Sequence, residues 1–333
     1  MNRPALPFPI QLALFFLLLA LAFFGSIAFG AAETSLRDVW LALTFTESGE
    51  KMDTLREIRF PREVAAALVG AALAVSGAII QGISRNPLGD PGLLGLTAGA
   101  NAALATAMAF FSSLNFFGIM IACFIGAGIG SLIVFGIGKM QRGGFSPFRL
   151  VLAGAAVSTF FYAVSDGISL IFKVSKNVTM WTAGGLIGTT WDHLLWVTPV
   201  VLIGILGALL FSRQLTILSL SEEVAIGLGQ RIEQIKAILF LITILLAGAA
   251  VSLAGNLVFV GLLIPHIVRA IVGPDYRFII PSAALVGAAF MLLADTLART
   301  VNAPFETPII AVVAVLGLPF FLIIVRKGGR AFS

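Results

Sequence analysis

Charged residues are scarce in this sequence: Asp, Glu, Lys and Arg make up only 11% of its 333 residues. A soluble globular protein carries about 25% charged residues, because they cover its surface. Here 59% of the residues are apolar and the mean hydropathy is +1.05, which excludes a soluble protein. The apolar residues extend over the whole chain, so we predict one transmembrane domain over residues 1–333.

Cysteine and histidine are also scarce. The single cysteine, Cys123, lies in an apolar run, which excludes a disulfide framework and a cysteine metal cluster. The two histidines, His193 and His266, are far apart, which argues against a zinc or iron site. The fragment Gly136–Lys139 lacks the following hydroxyl residue of a nucleotide-binding loop. We therefore predict a chain that is not an enzyme and has no catalytic, cofactor-binding or metal-binding residues.

Long stretches without charge define the predicted membrane helices, because one crossing needs about 20 mostly apolar residues. Two such stretches are too long for one crossing and are interrupted, at residues 112–115 and at Gly255-Asn256. Residues 33–63 are dense in charges of both signs and are expected in water. The ten predicted spans are 8–32, 64–84, 93–113, 116–138, 150–172, 193–212, 237–254, 257–272, 279–298 and 308–325.

The basic residues predict the orientation of these spans, because cytoplasmic loops collect Lys and Arg. With ten spans and the N-terminus inside, the inner segments carry more Lys and Arg than the outer ones. With nine spans, the basic tail formed by Arg326, Lys327 and Arg330 would lie outside. We therefore predict an all-α membrane protein with about ten transmembrane helices and both termini in the cytoplasm. The net charge of +5 reflects this bias and does not indicate nucleic-acid binding.

Two glycine-flanked segments, Gly70–Gly77 and Gly248–Gly255, have similar sequences. In the ten-span arrangement they lie in helices of opposite direction, as an inverted repeat requires. Chance is the alternative, because small residues are common in packed membrane helices. Beyond the second segment, Pro265, His266 and Arg269 predict a helix that faces protein or a water-filled cavity.

Two acids, Asp166 and Asp295, fall inside predicted spans. An ion-coupled secondary transporter would use such residues as a proton relay, and this is the alternative class of function. The preferred interpretation is structural: Asp295 pairs with Arg299 one turn later, and Asp166 forms hydrogen bonds near an outer helix end.

Eight segments together carry a family pattern. They are Ile58–Arg62, Leu68–Gly77, Gln81–Gly95, Leu152–Ser158, Glu223–Gly229, Gly261–Arg269, Leu293–Arg299 and Gly317–Phe321. In this order they resemble the FecCD/BtuC family, which comprises the permease subunits of ATP-binding-cassette (ABC) importers for iron–siderophore complexes, haem and cobalamin. The resemblance covers nearly the whole chain. It departs from the family at Gly89, where alanine is common, and at Glu306-Thr307-Pro308, where Glu-Leu-Pro is more usual.

The resemblance implies a BtuC-like type II importer permease of the bacterial plasma (inner) membrane that pairs with a second permease subunit, as a homodimer or a heterodimer. Two ATP-binding subunits would lie in the cytoplasm and hold the ATP and magnesium. A substrate-binding protein would dock outside, and lipid would surround the spans. Nucleic acid is not among the implied partners. The leading cargo is a ferric siderophore, and haem or cobalamin is the alternative.

The resemblance also implies that three arginines, Arg59, Arg62 and Arg299, meet acidic residues of the binding protein. Arg59 and Arg62 are three residues apart, so at the start of a helix they share one face just outside the membrane. The alternative is that these side chains only snorkel to lipid headgroups. Basic residues on the outer side oppose the usual inside bias, which favours docking.

Residues 213–236 are the predicted cytoplasmic coupling segment, which by resemblance sits in a cleft of the ATPase. Its part 219–234 predicts two short helices, with an N-cap serine, acidic residues in the first turn and glycines as breaks. A solvated surface helix is the alternative. The residues assigned to coupling are Ser221, Glu222, Glu223, Ala225, Gly227, Leu228 and Gly229.

The loop between the second and third spans is rich in proline and glycine, which predicts a rigid inner turn. We interpret it as structural, and a contact with the ATPase is also considered. Its assigned residues are Arg85, Asn86, Pro87, Asp90 and Pro91. By family analogy, the spans near 150–172 and 308–325 line the translocation path, and their small and apolar residues predict a conduit with little affinity of its own.

Overall fold

The computed structural model describes residues 6–29, 36–44, 47, 49–111, 113–139, 147–183, 185–303 and 305–326. Every regular element in this part of the chain is helical. A five-residue π-helix, Leu55–Arg59, precedes α4, and a 3-10 helix, Pro91–Leu94, precedes α5. The α-helices are α1 Phe8–Ala28, α2 Leu36–Thr44, α3 Glu50–Thr54, α4 Phe60–Ser84, α5 Leu96–Phe110, α6 Phe116–Lys139, α7 Pro147–Ile171, α8 Ser175–Ala183, α9 Trp191–Leu210, α10 Ser212–Leu220, α11 Glu222–Gly227, α12 Ile232–Ala254, α13 Val260–Val272, α14 Tyr276–Thr300 and α15 Ile309–Arg326.

Ten apolar helices in the described part coincide with the ten predicted spans. Seven are long and apolar enough to cross a membrane: α1, α4 with its preceding turns, α6, α7, α9, α12 and α14. Three are shorter, namely α5, α13 and α15. The all-α membrane fold is thus confirmed, whereas the number of crossings stays a prediction. The location of the termini also stays a prediction, because residues 1–5 and 327–333 lie outside the described residues.

The predicted interruptions of the two long apolar stretches are confirmed. The first falls between α5 and α6. The second falls after α12, where Gly255 has a φ of 68° and Phe259 has a φ of 69°. The left-handed backbone at these two positions ends one helix and starts the next. The short helix α13 then buries Val260 to Pro265 against protein, as expected for a helix that carries His266 and Arg269.

Helix α4 lies at the centre of the protein. Twenty of its 25 residues are buried, and α12, α13 and α14 pack around it. Most of its buried residues are Ala, Gly, Val and Ile, which let neighbouring backbones approach closely. The main core cluster extends from Phe15 of α1 to Val313 of α15. A second cluster joins α5, α6 and α7 to α12, and a third, smaller cluster lies around α2, α3 and the π-helix. The single domain stays a prediction.

Glycines set the distance between α4 and its neighbours. A Cβ atom placed on Gly70 would collide with the backbone carbonyl of Gly287 in α14. One placed on Gly77 would collide with the backbone of Gly261 in α13. Both glycines belong to the segment predicted as half of an inverted repeat. The repeat itself stays a prediction.

One boundary differs from the sequence-based expectation in a way that matters for function. The prediction placed residues 33–63 in water, but the helical path of α4 begins at Phe60 and follows directly on the π-helix. Glu63 is fully buried, and Arg59 is 8% exposed. The expectation of a wet segment is therefore wrong for its last residues. Charge density alone did not reveal the partners that allow their burial.

We predict that Gly70→Leu prevents α4 from packing on α14 and lowers the stability of the folded protein. Overpacking of a core contact costs about 1–3 kcal/mol, and here the obstacle is backbone rather than a flexible side chain. The matched control is Gly128→Leu in α6, because nothing lies within 4 Å of a Cβ at that glycine. Thermal unfolding of the detergent-purified proteins measures the difference. Equal midpoints for the two variants would contradict the assigned contact.

Candidate functional site

Arg62, near the start of α4, lies between two carboxylates. Its Nε and Nη2 donate to Asp295 of α14 at 2.9–3.2 Å. Its Nη1 and Nη2 donate to Glu306, in the loop before α15, at 2.8 and 3.0 Å. The planar guanidinium suits two such forked contacts. Arg62 therefore connects α4 to α14 and to the loop that leads into α15.

Arg299 lies in the last turn of α14. It contacts Glu63 Oε1 at 2.6 Å and Asp295 Oδ2 at 3.0 Å, and it donates to the backbone carbonyl of Ser26 in α1 at 3.2 Å. Arg59 donates to the carbonyl of Ile27 at 2.9 Å. The predicted pairing of Asp295 with Arg299 is confirmed.

These six charged residues lie together at the ends of α1, α4 and α14, and we name them the outer network after the side on which the predicted topology places them. Its members are Arg59, Arg62, Glu63, Asp295, Arg299 and Glu306. Three positive charges oppose three negative charges, so the network carries no formal net charge. Charges are buried in proteins when they are paired and hydrogen-bonded, and this pairing explains why α4 can start with charged residues.

The three docking arginines are therefore brought together, but they do not project from the surface. Arg59 is buried and only 12% of the Arg62 side chain is exposed, and their expected place on one face just outside the membrane stays a prediction. Arg299 is 5% exposed. Glu63 and Glu306 were not identified from the sequence as partners of these arginines. The signal was present, because both acids are predicted near the same ends of the helices as the arginines. The docking role itself stays a prediction.

The loop after α4 is stabilised by hydrogen bonds between its own side chains and its own backbone. Arg85 ends α4 with a φ of 52°, and Asn86 Oδ1 accepts from Leu88 N at 3.0 Å. Asp90 caps the 3-10 helix by accepting from Gly92 N at 2.8 Å. Pro91 and Asp90 lie against Gly261, so the loop reaches the first turn of α13. These contacts support the structural interpretation of the predicted loop, in which Pro87 is half-buried.

The coupling segment, residues 213–236, contains most of the short helix α10, the short helix α11 and the start of the long helix α12. Ser221 caps α11 as predicted, with Oγ accepting from Val224 N at 3.1 Å. The second predicted short helix is wrong, because the chain after Gly229 enters the long helix α12 at Ile232. Gly229 has a φ of 74°, and this left-handed turn allows the change of direction.

Glu222 connects the coupling segment to two membrane helices. Its Oε1 lies 2.8 Å from Lys236 Nζ in α12 and 3.6 Å from Arg85 Nη2 at the end of α4. The hydrogen bond from Lys236 holds the pKa of Glu222 below its usual range, and Arg85 adds to the effect. The carboxylate is thus charged at neutral pH, where it links α11 to α4 and α12.

The outward surface of the coupling segment is apolar. Leu220, Ile226 and Leu228 are each more than 60% exposed, and Val224 is 44% exposed. Within α11 and the turn that follows it, Ala225 packs inward, whereas Glu223, Gly227 and Gly229 are exposed. A cluster of large exposed apolar residues on a polar loop marks a binding surface. Sequence reasoning assigned Leu228 but missed Leu220, Val224 and Ile226, although their hydrophobicity was visible.

The motifs at these sites are shared with known transport proteins. The sequence profile of the FecCD transport family matches residues 18–327. The chain belongs to the FecCD transport family. It is 45% identical over 314 residues to the iron(3+)-hydroxamate import system permease protein FhuB of Bacillus subtilis (strain 168), with 94% of this chain and 82% of that protein covered.

Two further relatives of this FecCD-family chain extend the comparison. The hemin transport system permease protein HmuU of Yersinia pestis is 36% identical over 324 residues, with 96% of each chain covered. A solved metal-chelate type ABC transporter in an inward-facing conformation matches with a TM-score of 0.81 at 29% identity. It covers 96% of this chain and 100% of its own. The predicted family and the fold of its permeases are confirmed.

The two acids inside the predicted spans have different surroundings in this FecCD-family protein. Asp295 is fully buried and held by Arg62 and Arg299. Asp166 is exposed on α7 and lines a cavity of about 560 Å³. A larger cavity of about 720 Å³, with an aromatic and apolar lining that includes Trp181 and His193, contains none of the predicted site residues. The ion pairs of Asp295 do not suit a proton relay, so the carrier alternative loses one of its two residues.

We predict that Asp295→Asn destabilises the protein strongly, because it leaves Arg62 and Arg299 buried with less negative charge. Breaking a buried pair by removing one partner costs about 3–5 kcal/mol. The control is Asp38→Asn, which breaks an exposed pair with Lys51 (52% of the lysine side chain exposed) and should cost less than about 1 kcal/mol. Thermal unfolding in detergent compares the two variants. A smaller loss for Asp295→Asn than for Asp38→Asn would contradict the network.

Proposed function

We propose that this chain is the membrane permease of an ABC importer that carries a ferric siderophore across the bacterial plasma membrane. The observation that carries the proposal is the family match over residues 18–327, which includes both candidate sites. Among the relatives described above, the ferric hydroxamate permease shares 45% identity with this chain and the hemin permease 36%. We therefore propose a ferric hydroxamate as cargo, with haem as the second candidate.

The proposed assembly contains a second permease subunit, two cytoplasmic ATPase subunits and an extracytoplasmic binding protein. ATP and magnesium would be held by the ATPase, so this chain would convert movement of its partner into movement of its helices. The apolar patch formed by Leu220, Val224, Ile226 and Leu228 supports the contact with the ATPase. Its exposed side chains would lie in a cleft of the ATPase, and Glu222 would pass the displacement to α4 and α12.

We further propose that the binding protein docks at the outer network through Arg62. Glu306, whose side chain is 34% exposed, covers the outer side of Arg62. A carboxylate of the binding protein would replace Glu306 and pair with the arginine. Arg299 and Arg59 lie deeper and would contribute by holding Glu63, Asp295 and the end of α1 in position.

The function and the coupling surface are tested together by uptake of radiolabelled ferric trihydroxamate. A deletion strain should lose energy-dependent uptake, and the wild-type gene should restore it. Leu228→Ser should not restore it, because loss of a central apolar contact weakens ATPase binding about 5- to 30-fold, or roughly 1–2 kcal/mol. The control is Ile271→Ser, an exposed aliphatic residue outside the coupling segment.

Normal uptake in the deletion strain would exclude the proposed function. Co-purification of the ATPase with Leu228→Ser at the wild-type level would exclude the coupling role while leaving the cargo assignment intact.

We predict that Glu306→Gln strengthens the binding of the substrate-binding protein to the permease. It removes the charge that competes for Arg62, and an exposed ion pair is worth about 0.2–1 kcal/mol, so the gain is up to about fivefold. Glu57→Gln makes the same charge change at an exposed residue of the outer segment and serves as the control. Binding to permease in nanodiscs measures both. Equal or weaker binding for Glu306→Gln than for Glu57→Gln would contradict the exchange.

A further inference from the structure

Most residues that line the cavity containing Asp166 carry a polar group, although most of the cavity's surface is apolar. The cavity lies between α5, α7, α8, the turn after α12 and the start of α15, and its volume of about 560 Å³ is typical of small-molecule sites. Nine of its thirteen lining residues carry a hydroxyl, an amide or a carboxylate. These polar groups add to the small and apolar residues expected from the sequence in this region, where α7 approaches Ile310 of α15.

Several polar atoms around this cavity retain unused hydrogen-bonding capacity. Asn256 Nδ2 donates to Tyr162 Oη at 2.6 Å, which orients both side chains. Within the described residues, Asn256 Oδ1, Asn101 Oδ1 and Ser169 Oγ have no hydrogen-bond partner. Asn101 is 4% exposed and Ser169 is 5% exposed. Buried polar groups without partners are costly, so a ligand with amide and hydroxyl groups would be stabilised here.

Asp166 gives the cavity a negative charge. Its position also indicates the surroundings of the open side of the cavity. No Lys, Arg or His is among the described residues that line the cavity, and Asp166 is the one acid. Its side chain is exposed on the single chain. A carboxylate facing acyl chains is expensive, so this side of α7 lies against water or the second permease subunit. The cavity also lies between α7 and α15, the two helices that family analogy assigns to the translocation path.

The charge of a ferric chelate depends on its donor groups. Three singly charged hydroxamates neutralise the ferric ion, whereas three doubly charged catecholates leave a complex with three negative charges. Asp166 repels the second kind of complex and tolerates the first. The basic residues nearest in sequence are Lys173, in the turn between α7 and α8, and Lys176, at the start of α8. Both are exposed, and neither lines the cavity.

Building on the proposed function, we propose that the cavity lined by Asn101, Tyr162, Asp166 and Asn256 is a polar subsite on the translocation path that accepts uncharged or cationic ferric trihydroxamates and disfavours anionic chelates. The amides and hydroxyls bind the hydroxamate backbone of the cargo. Asp166 attracts a cationic cargo and repels an anionic one. The permease thereby adds a second selection step to that of the binding protein.

Two ferric chelates that have the same trihydroxamate centre but different net charges test this subsite. The first is a linear ferric trihydroxamate with a free amine, and the second is the same compound with the amine succinylated, which changes its charge from positive to negative. The ratio of their uptake rates is measured in the deletion strain that expresses each variant. Asp166→Asn should raise the relative uptake of the succinylated chelate about 1.5- to 5-fold, the range expected for one wet charge pair. Asp166→Glu should retain the wild-type ratio.

Two further variants complete the experiment. Asp192→Asn removes an exposed acid at the start of α9, away from the cavity, and should leave the ratio unchanged. Asn256→Asp adds a negative charge to the cavity and should shift the ratio in the opposite direction to Asp166→Asn. If Asp166→Asn reduces expression, the Asn256→Asp variant still tests the effect of charge in the cavity.

The outcomes separate the subsite from the proposed function. If wild-type protein imports neither chelate, the proposed cargo is wrong and the subsite with it. If wild-type protein imports them but neither Asp166→Asn nor Asn256→Asp changes the ratio, the subsite alone is overturned. An equal shift for Asp166→Asn and Asp192→Asn would also overturn it, because the effect would then arise from the charge of the outer face.

Discussion

The backbone contact between Gly70 of α4 and Gly287 of α14 is the constraint on which the candidate sites depend. Within a membrane, the packing of helices relies on close approach of their backbones, because lipid is as apolar as the side chains. This contact, with that of Gly77 on Gly261, fixes α4 between α13 and α14. The distance between α4 and α14 in turn allows Arg62 to reach Asp295.

The outer network follows from that geometry. Glu63 and Asp295 are fully buried, and each would be costly without an arginine beside it. Arg299 contacts both, whereas Arg62 joins Asp295 to the partly exposed Glu306. The residues of the network therefore range from fully buried to partly exposed. Replacing one carboxylate by another costs the least free energy at Glu306, which is partly exposed. A docking protein that offers carboxylates would meet the network at this point.

The sequence alone predicted the ten apolar helices, their two interruptions and the Ser221 cap, because each follows from local pattern. It failed where long-range pairing decides. Residues 59–63 were expected in water because the acids that neutralise Arg62 lie more than 200 residues away. The second coupling helix was wrong because Ile232 begins a helix that continues into the membrane. The cavity that contains Asp166 was missed because its residues come from several helices.

Helix α4 carries contacts of both candidate sites at its two ends. Arg62 and Glu63 belong to the outer network, and Arg85, 25 residues after Phe60, faces Glu222 of the coupling segment. At 1.5 Å per residue the helix spans about 37 Å, more than the hydrocarbon core of a bilayer. Glycine contacts hold its middle against α13 and α14. Under the proposed function, a displacement of Glu222 by the ATPase would act on the same helix that carries Arg62 and Glu63 of the outer network. This one helix would then be sufficient to couple the two sides of the membrane.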